Sequence, residues 1–104
     1  MHGRFARYTY SGDIHEIAQK AENGLLPIFQ SQPGFKAYTV SATDGEIFSM
    51  SAWESADAAE AASIAAADWV GENLGDELQL TESRVGEIMF STVLGVSTAT
   101  TARA

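Results

Sequence analysis

At 104 residues, with 45% hydrophobic content, the chain has the size and composition of one packed domain. A net charge of −8, from 14 Asp and Glu against six Lys and Arg, excludes an extended phosphate-binding surface, since nucleic-acid affinity rests on basic side chains neutralising phosphates. There is no cysteine, so disulfides, thiolate nucleophiles and Cys-ligated metals are excluded. No apolar run reaches the length of a membrane span or a signal-peptide core, and the expectation is a cytoplasmic protein without nucleic-acid or membrane partners.

Residues 3–10, GRFARYTY, form the first predicted strand, with Phe5, Arg7 and Thr9 on one face and Ala6, Tyr8 and Tyr10 on the other. Ser11-Gly12 breaks it. Asp13 is placed as a helix N-cap, with Glu16 at capping-box spacing, and Ile14, Ile17, Ala18, Ala21 and Leu25 then recur on one helical face. Asn23-Gly24 and Pro27 interrupt this pattern. Proline cannot donate to the carbonyl at Asn23, so a kink or two abutting helical pieces are expected before Pro33-Gly34 ends the element.

Residues 35–54, FKAYTVSATDGEIFSMSAWE, read as a hairpin around Asp44-Gly45. A primed two-residue turn, with positive φ at both central positions, would pair Thr43 with Glu46, Ser41 with Phe48, Thr39 with Met50 and Lys36 with Trp53. That register places Tyr38, Val40, Ile47 and Trp53 on one face and Phe35, Phe48 and Met50 on the other. Ser55 is the expected N-cap of a second helix, with Asp57 and Glu60 near its positive end. Ala58, Ala61, Ala62 and Ala65 would give it a smooth face, Ile64, Trp69 and Val70 its bulk, and Gly71 or Gly75 its stop. Alternation over 84–94, RVGEIMFSTVL, predicts the last strand. The domain is placed at 1–94, with 95–104 a flexible or dimer-contacting tail.

The order strand, helix, strand, strand, helix, strand, with right-handed crossovers, gives an α+β, ferredoxin-like βαββαβ fold: a four-stranded antiparallel sheet with two helices on one face. Neither face of the hairpin is polar enough for water, and two helices cover only one. The expected cover for the other is a second copy, in a homodimer through the sheet face.

The run PGFKAYTVSATDGEIFSMSAWES, the Ala-rich helix after it and VGEIMFSTV resemble the antibiotic biosynthesis monooxygenase (ABM) superfamily of dimeric α+β barrels. The shared marks are Pro33-Gly34-Phe35 entering the second strand and Trp53-Glu54-Ser55 leaving the third. The resemblance implies a cofactor-independent monooxygenase that oxidises a hydroquinone- or anthrone-like aromatic with O2, with no cofactor and no metal. Its implied catalytic positions are Trp53 and, four residues earlier on the same strand face, Ser49, where the family carries an asparagine. A hydroxyl has one donor and a shorter reach than an amide. The superfamily's haem-degrading branch uses a histidine late in the second helix; AADWVGENLG has none, so that activity is not implied.

The residues themselves add candidates for a substrate site. Arg7 and Arg84 stand in or beside apolar strands, and a buried arginine requires an anion, either a protein carboxylate or a carboxylate or enolate on a ligand. Tyr8 and Tyr38 can donate to a phenolic or carbonyl ligand, or serve as ordinary strand residues. Trp53, by its own residue type and place, reads first as a structural tryptophan at a strand end and second as a site residue, needing a partner for its indole N–H in either role. His15, in the first turn of its helix, reads as solvated, and Asp68 has catalytic use only if buried. The alternative to an enzyme is a non-enzymatic dimeric barrel that binds a small apolar ligand or a protein partner. A ferredoxin-like RNA binder is disfavoured by charge and by GEIFSMSAWE, which lacks a basic-and-aromatic strand signature.

Overall fold

The computed structural model describes residues 1–98. Its elements are β1 (His2–Tyr10), α1 (Ile14–Ser31), β2 (Phe35–Thr43), β3 (Glu46–Trp53), α2 (Ala56–Asn73) and β4 (Leu78–Glu87). The strands form one antiparallel sheet in the order β2-β3-β1-β4, the expected ferredoxin-like topology. Among the described residues no helix is long and apolar enough to cross a membrane.

Both caps are used. Asp13 Oδ1 accepts from the backbone N–H groups of His15 and Glu16, and Ser55 Oγ accepts from that of Ala58. Helix α1 runs through Pro27 as a single 18-residue element rather than two pieces. Gly24 lies against the other helix: a Cβ there would come within 2.4 Å of the Trp69 ring, so only glycine permits this approach of α1 to α2. In α2 the buried alanines are Ala59, Ala62 and Ala66, one position round from the face expected, and Ile64 points to solvent. Gly71 lies inside the helix, which ends at Asn73 with the N–H of Leu74 donating to the carbonyl of Val70.

The hairpin keeps the predicted pairs Thr43–Glu46, Ser41–Phe48 and Thr39–Met50, but two details differ. Among the described residues no non-glycine has positive φ, so Asp44 is conventional and only Gly45, at φ 81°, is left-handed; the turn is not the primed type. The register also shifts between Phe35 and Ala37, so Trp53 faces Phe35 instead of Lys36. Lys36 is the extra residue of a bulge. It moves Phe35 to the helix side, where its ring meets Trp53 edge-on at 5.4 Å.

Strand β4 is six residues earlier than expected at its start and seven earlier at its end. Among the described residues its ladder partner is β1, with Tyr10 facing Leu78 and His2 facing Glu87. The N–H of Ile88 still reaches the carbonyl of Met1. Residues 88–98 turn back instead, closed by a bridge between Ser91 and Val96. Of the tail placed at 95–104, residues 99–104 lie outside those described.

The helix side holds two connected apolar clusters. One gathers Leu25, Phe29 and Trp53 with the three buried alanines; the other gathers Ala6, Tyr8, Ile17, Ile47 and Leu74. Alternation places Phe5, Arg7, Phe48 and Met50 on the opposite face, which neither α1 nor α2 covers. Met50 is 60% exposed there. The 88–98 segment borders this open face and, with Phe5, Met50 and Ala52, shapes a concavity of about 640 Å³.

Candidate functional site

Three polar residues are buried among the described ones, Arg4, Ser49 and Ser51, and all lie on the helix side of the two central strands. The cross-strand register explains their grouping. Tyr38, Ser51, Arg4 and Val85 form one row from β2 to β4; Val40, Ser49 and Ala6 lie in the next, and Ile47 and Tyr8 in the one beyond. A polar patch thus sits within an otherwise apolar layer.

Its groups are tied together. The Trp53 indole N–H donates to Ser51 Oγ at 2.9 Å, Arg4 Nε donates to Ser63 Oγ of α2 at 2.9 Å, and that hydroxyl donates to the Ala59 carbonyl. Ser49 is hydrogen-bonded to the Tyr38 phenol. Burial pushes the Tyr38 pKa above the ordinary 10.0 of a tyrosine, the Ser49 hydrogen bond opposes that rise, and the nearby Tyr8 and Arg4 act in opposite directions to each other. Tyr38 is accordingly a neutral phenol at physiological pH, with an O–H to donate.

A cleft opens between α1 and the hairpin at the Tyr38–Ser49 end of this patch. Its inner end, about 30 Å³, is lined by Tyr8, Ile17, Tyr38, Ile47, Ser49 and Trp69 among others, with room for about one water. Its mouth, about 490 Å³, lies between His15, Gln19, Glu22 and Leu26 of α1 and Tyr38 and Val40 of β2. Ala18, Ala21, Tyr38 and Val40 line both parts, so the two are one continuous depression with Tyr38 at its neck.

Of the residues singled out in the sequence, Ser49, Tyr38 and Tyr8 come together at the inner end. Trp53 stands one layer behind them: it is fully buried, packed edge-on against Phe29 and Phe35, with its N–H held by Ser51. Arg7 and Arg84 lie on the other side of the sheet. Arg7 alternates with Ala6 and Tyr8 along β1 and pairs with Glu46 and Glu82, while Arg84, mostly exposed, also engages Glu82. The anions these two arginines require are therefore protein carboxylates. His15 is exposed but lies at the mouth, and Asp68 is exposed on α2.

Sequence reasoning missed Arg4 and Ser63. The signal for Arg4 was present, since period-2 alternation puts it on the same face as Ala6 and Tyr8. Ser63 carried no comparable mark within an Ala-rich helix. Among the described residues no three His, Asp or Glu side chains converge on a point that would hold a metal.

The fold is similar to that of an antibiotic biosynthesis monooxygenase-type protein from Chloroflexus aurantiacus, with a TM-score of 0.58 at 16% identity over 90% of this chain and 98% of that one. No family model matches the sequence, and neither does any curated protein sequence. Solved structures do match. Two structures of SnoaB, a cofactor-independent oxygenase from Streptomyces nogalater, superpose with TM-scores of 0.71 and 0.69 at 18% identity, covering 88% of this chain and 96% of that one. A monooxygenase from the ActVA-Orf6 gene of Streptomyces coelicolor, in complex with nanaomycin D, gives a TM-score of 0.62 at 18% identity over 86% of this chain and 92% of that one. Rv0793 from Mycobacterium tuberculosis gives 0.65 at 13% identity, over 88% and 97%.

Proposed function

We propose that the cleft binds a small aromatic molecule and that the protein is a cofactor-independent monooxygenase of a hydroquinone- or anthrone-like substrate. The observation that carries this reading is the Ser49–Tyr38 pair: two hydroxyls at the mainly apolar inner end of a cleft whose open mouth is lined by His15, Gln19 and Glu22. The aromatic body fits between Ala18, Ala21, Leu26 and Val40, with its oxygen directed past the neck to Tyr38. The oxygenase relatives in fold, SnoaB and the ActVA-Orf6 monooxygenase, support the same class of chemistry.

Such chemistry asks little of the protein beyond binding and charge stabilisation. An ionised anthrone is electron-rich enough to reduce O2 itself. Electron transfer and recombination form a C–O bond to the ring carbon; protonation gives a hydroperoxide that still carries one C–H. Loss of that hydrogen and cleavage of the O–O bond leave a carbonyl and one water, so anthrone and O2 become quinone and H2O. The neutral Tyr38 phenol and the Ser49 hydroxyl donate to the substrate oxyanion, Tyr8 lines the wall, and Trp53 holds the Ser51 layer behind it.

Aerobic incubation with a panel of anthrones and naphthohydroquinones, followed by quinone absorbance, tests the reading. Turnover that falls at least tenfold in Tyr38→Phe and Ser49→Ala is expected, on the scale of losing one oxyanion donor. Absence of turnover above buffer across the panel, with ligands still raising Tm, would replace the enzyme by a binding protein.

We further propose that the open sheet face is covered by a second copy of the chain. Phe5, Phe48 and the exposed Met50 form an apolar strip that a symmetric partner would bury. Analytical ultracentrifugation at micromolar concentration should give a dimer that Met50→Glu dissociates. A wild-type monomer would contradict the proposal.

A further inference from the structure

Arg4 is the one charged residue among the buried described residues, at 3% exposure. It is not a side chain that runs its stem along the core and leaves its head in water. Its Nε is fixed inside the protein by Ser63 of α2, whose own hydroxyl is anchored to the Ala59 carbonyl. No carboxylate of the described residues lies within ion-pair distance of it, although the chain carries 14 acidic residues and supplies Arg7 and Arg84 with partners on the other face. A buried cation left without a counter-ion is a cost to folding, and a residue such as Met would fill the same space without it. Stability therefore gives no reason for an arginine here.

The register gives one. Arg4 faces Ser51 across β1 and β3, and Ser51 faces Tyr38 across β3 and β2, so the guanidinium belongs to the same row as the residue at the neck of the cleft. At the Tyr38 hydroxyl the Arg4 charge favours negative charge, more weakly than burial and Tyr8 disfavour it. Tyr38 and Ser49 are uncharged donors to a ligand oxygen, and the positive charge behind them is what a negative oxygen would sense in this low-dielectric layer.

We infer that Arg4 is the charge-selecting residue of the cleft: through Ser51 and Tyr38 it favours the ionised, enolate- or phenolate-bearing form of an aromatic ligand over a neutral analogue of the same size. This rests on the reading of the cleft as an aromatic-binding site. Arg4 is a positioning residue, acting through the row and not by touching the ligand.

Two naphthoquinones of similar size separate charge from shape. 2-Hydroxy-1,4-naphthoquinone is an anion at neutral pH; 2-methyl-1,4-naphthoquinone is not. Each is titrated into the full-length protein at pH 7.5, read by quenching of Trp69, which lines the inner cleft. The wild type is expected to bind the anion at least ~10-fold tighter, equivalent to ~1.4 kcal/mol. Arg4→Met should bring the two affinities to within ~2-fold of each other while the neutral quinone binds as before, and Arg4→Lys should restore most of the preference. A structural role for Arg4 would weaken both quinones together and leave their ratio unmoved.

Equal affinities in the wild type, or a preference that survives in Arg4→Met, overturn the inference and leave the cleft reading standing. Failure of the wild type to bind either quinone overturns the cleft reading and this inference with it. If Arg4→Met loses its near-UV circular dichroism, the wild-type and Arg4→Lys ratios decide on their own, because parity in either one overturns the proposal.

Discussion

Strand β1 carries two arginines three residues apart, and the two faces of the sheet treat them oppositely. Arg7 is half-exposed on the open face between Glu46 and Glu82, at 3.7 and 3.3 Å. Arg4 is enclosed on the helix face, held by a serine hydroxyl. The open face uses charge as a solvated protein commonly does, in pairs near water that each contribute little. The helix face keeps a lone charge where it is costly, next to hydroxyls that front a cleft. An unpaired charge in a dry place points to chemistry; the paired ones point to surface.

The contrast can be broken most forcefully on the helix face. Phe29 is fully buried and meets Tyr38 and Trp53 edge-on at 4.8 and 5.3 Å. Phe29→Ala should cost about 3–5 kcal/mol in urea denaturation, while alanine at Phe48 on the open face should cost the monomer far less. Equal losses would mean that both faces are cores. Next in size, Gly24→Ala should destabilise by about 1–3 kcal/mol, since the new methyl overlaps the Trp69 ring and one helix has to move. A neutral result would show that α1 and α2 can part without loss.

Tyr38 gives a pH test of the same face. Its folded-state pKa lies above 10.0, so at lower pH both folded and unfolded chains hold the proton and the group contributes no slope. Above about pH 10 the unfolded chain ionises first and binds fewer protons, so stability falls with rising pH in that window. Tyr38→Phe should remove this part of the alkaline slope; identical slopes in urea titrations from pH 8 to 11 would refute the assignment. The smallest effect belongs to the open face. Glu46→Gln, weakening one partner of Arg7 near water, should change stability by less than about 1 kcal/mol and more weakly still in high salt.

How much of this could be read from the chain varied with how local the determinants were. The caps at Asp13 and Ser55 are specified within four residues and both hold, and the Asp44-Gly45 turn falls where expected although its backbone is not of the primed type. The ends of β4 were not legible because its own alternation continues past Glu87, whereas its extent follows its pairing with another segment, β1, which runs from Tyr10 facing Leu78 to His2 facing Glu87. The face of Phe35 was misplaced for a similar reason, because a bulge leaves no mark in a run of strand formers. At the site, Ser49, Tyr38 and Tyr8 follow from strand parity. The same parity groups Arg4 with Tyr8 and sets Arg7 apart, but which of the two faces the helices needed the assembled sheet. Trp53 was recognisable as important, but its bond to Ser51 could not be told from a bond to a ligand.

The bulge at Lys36 has a consequence for how this segment tolerates change. Lys36 itself is exposed and pairs with Glu54 at 3.1 Å, so its identity matters little. The count of residues matters a great deal. Removing one residue between Phe35 and Ala37 would carry Phe35 to the opposite side of the sheet, withdraw its ring from Trp53, and drag the Pro33-Gly34 corner after it. The segment is constrained as a spacer is, by length and not by lettering, and a single-codon deletion there would do what no single substitution at Lys36 could.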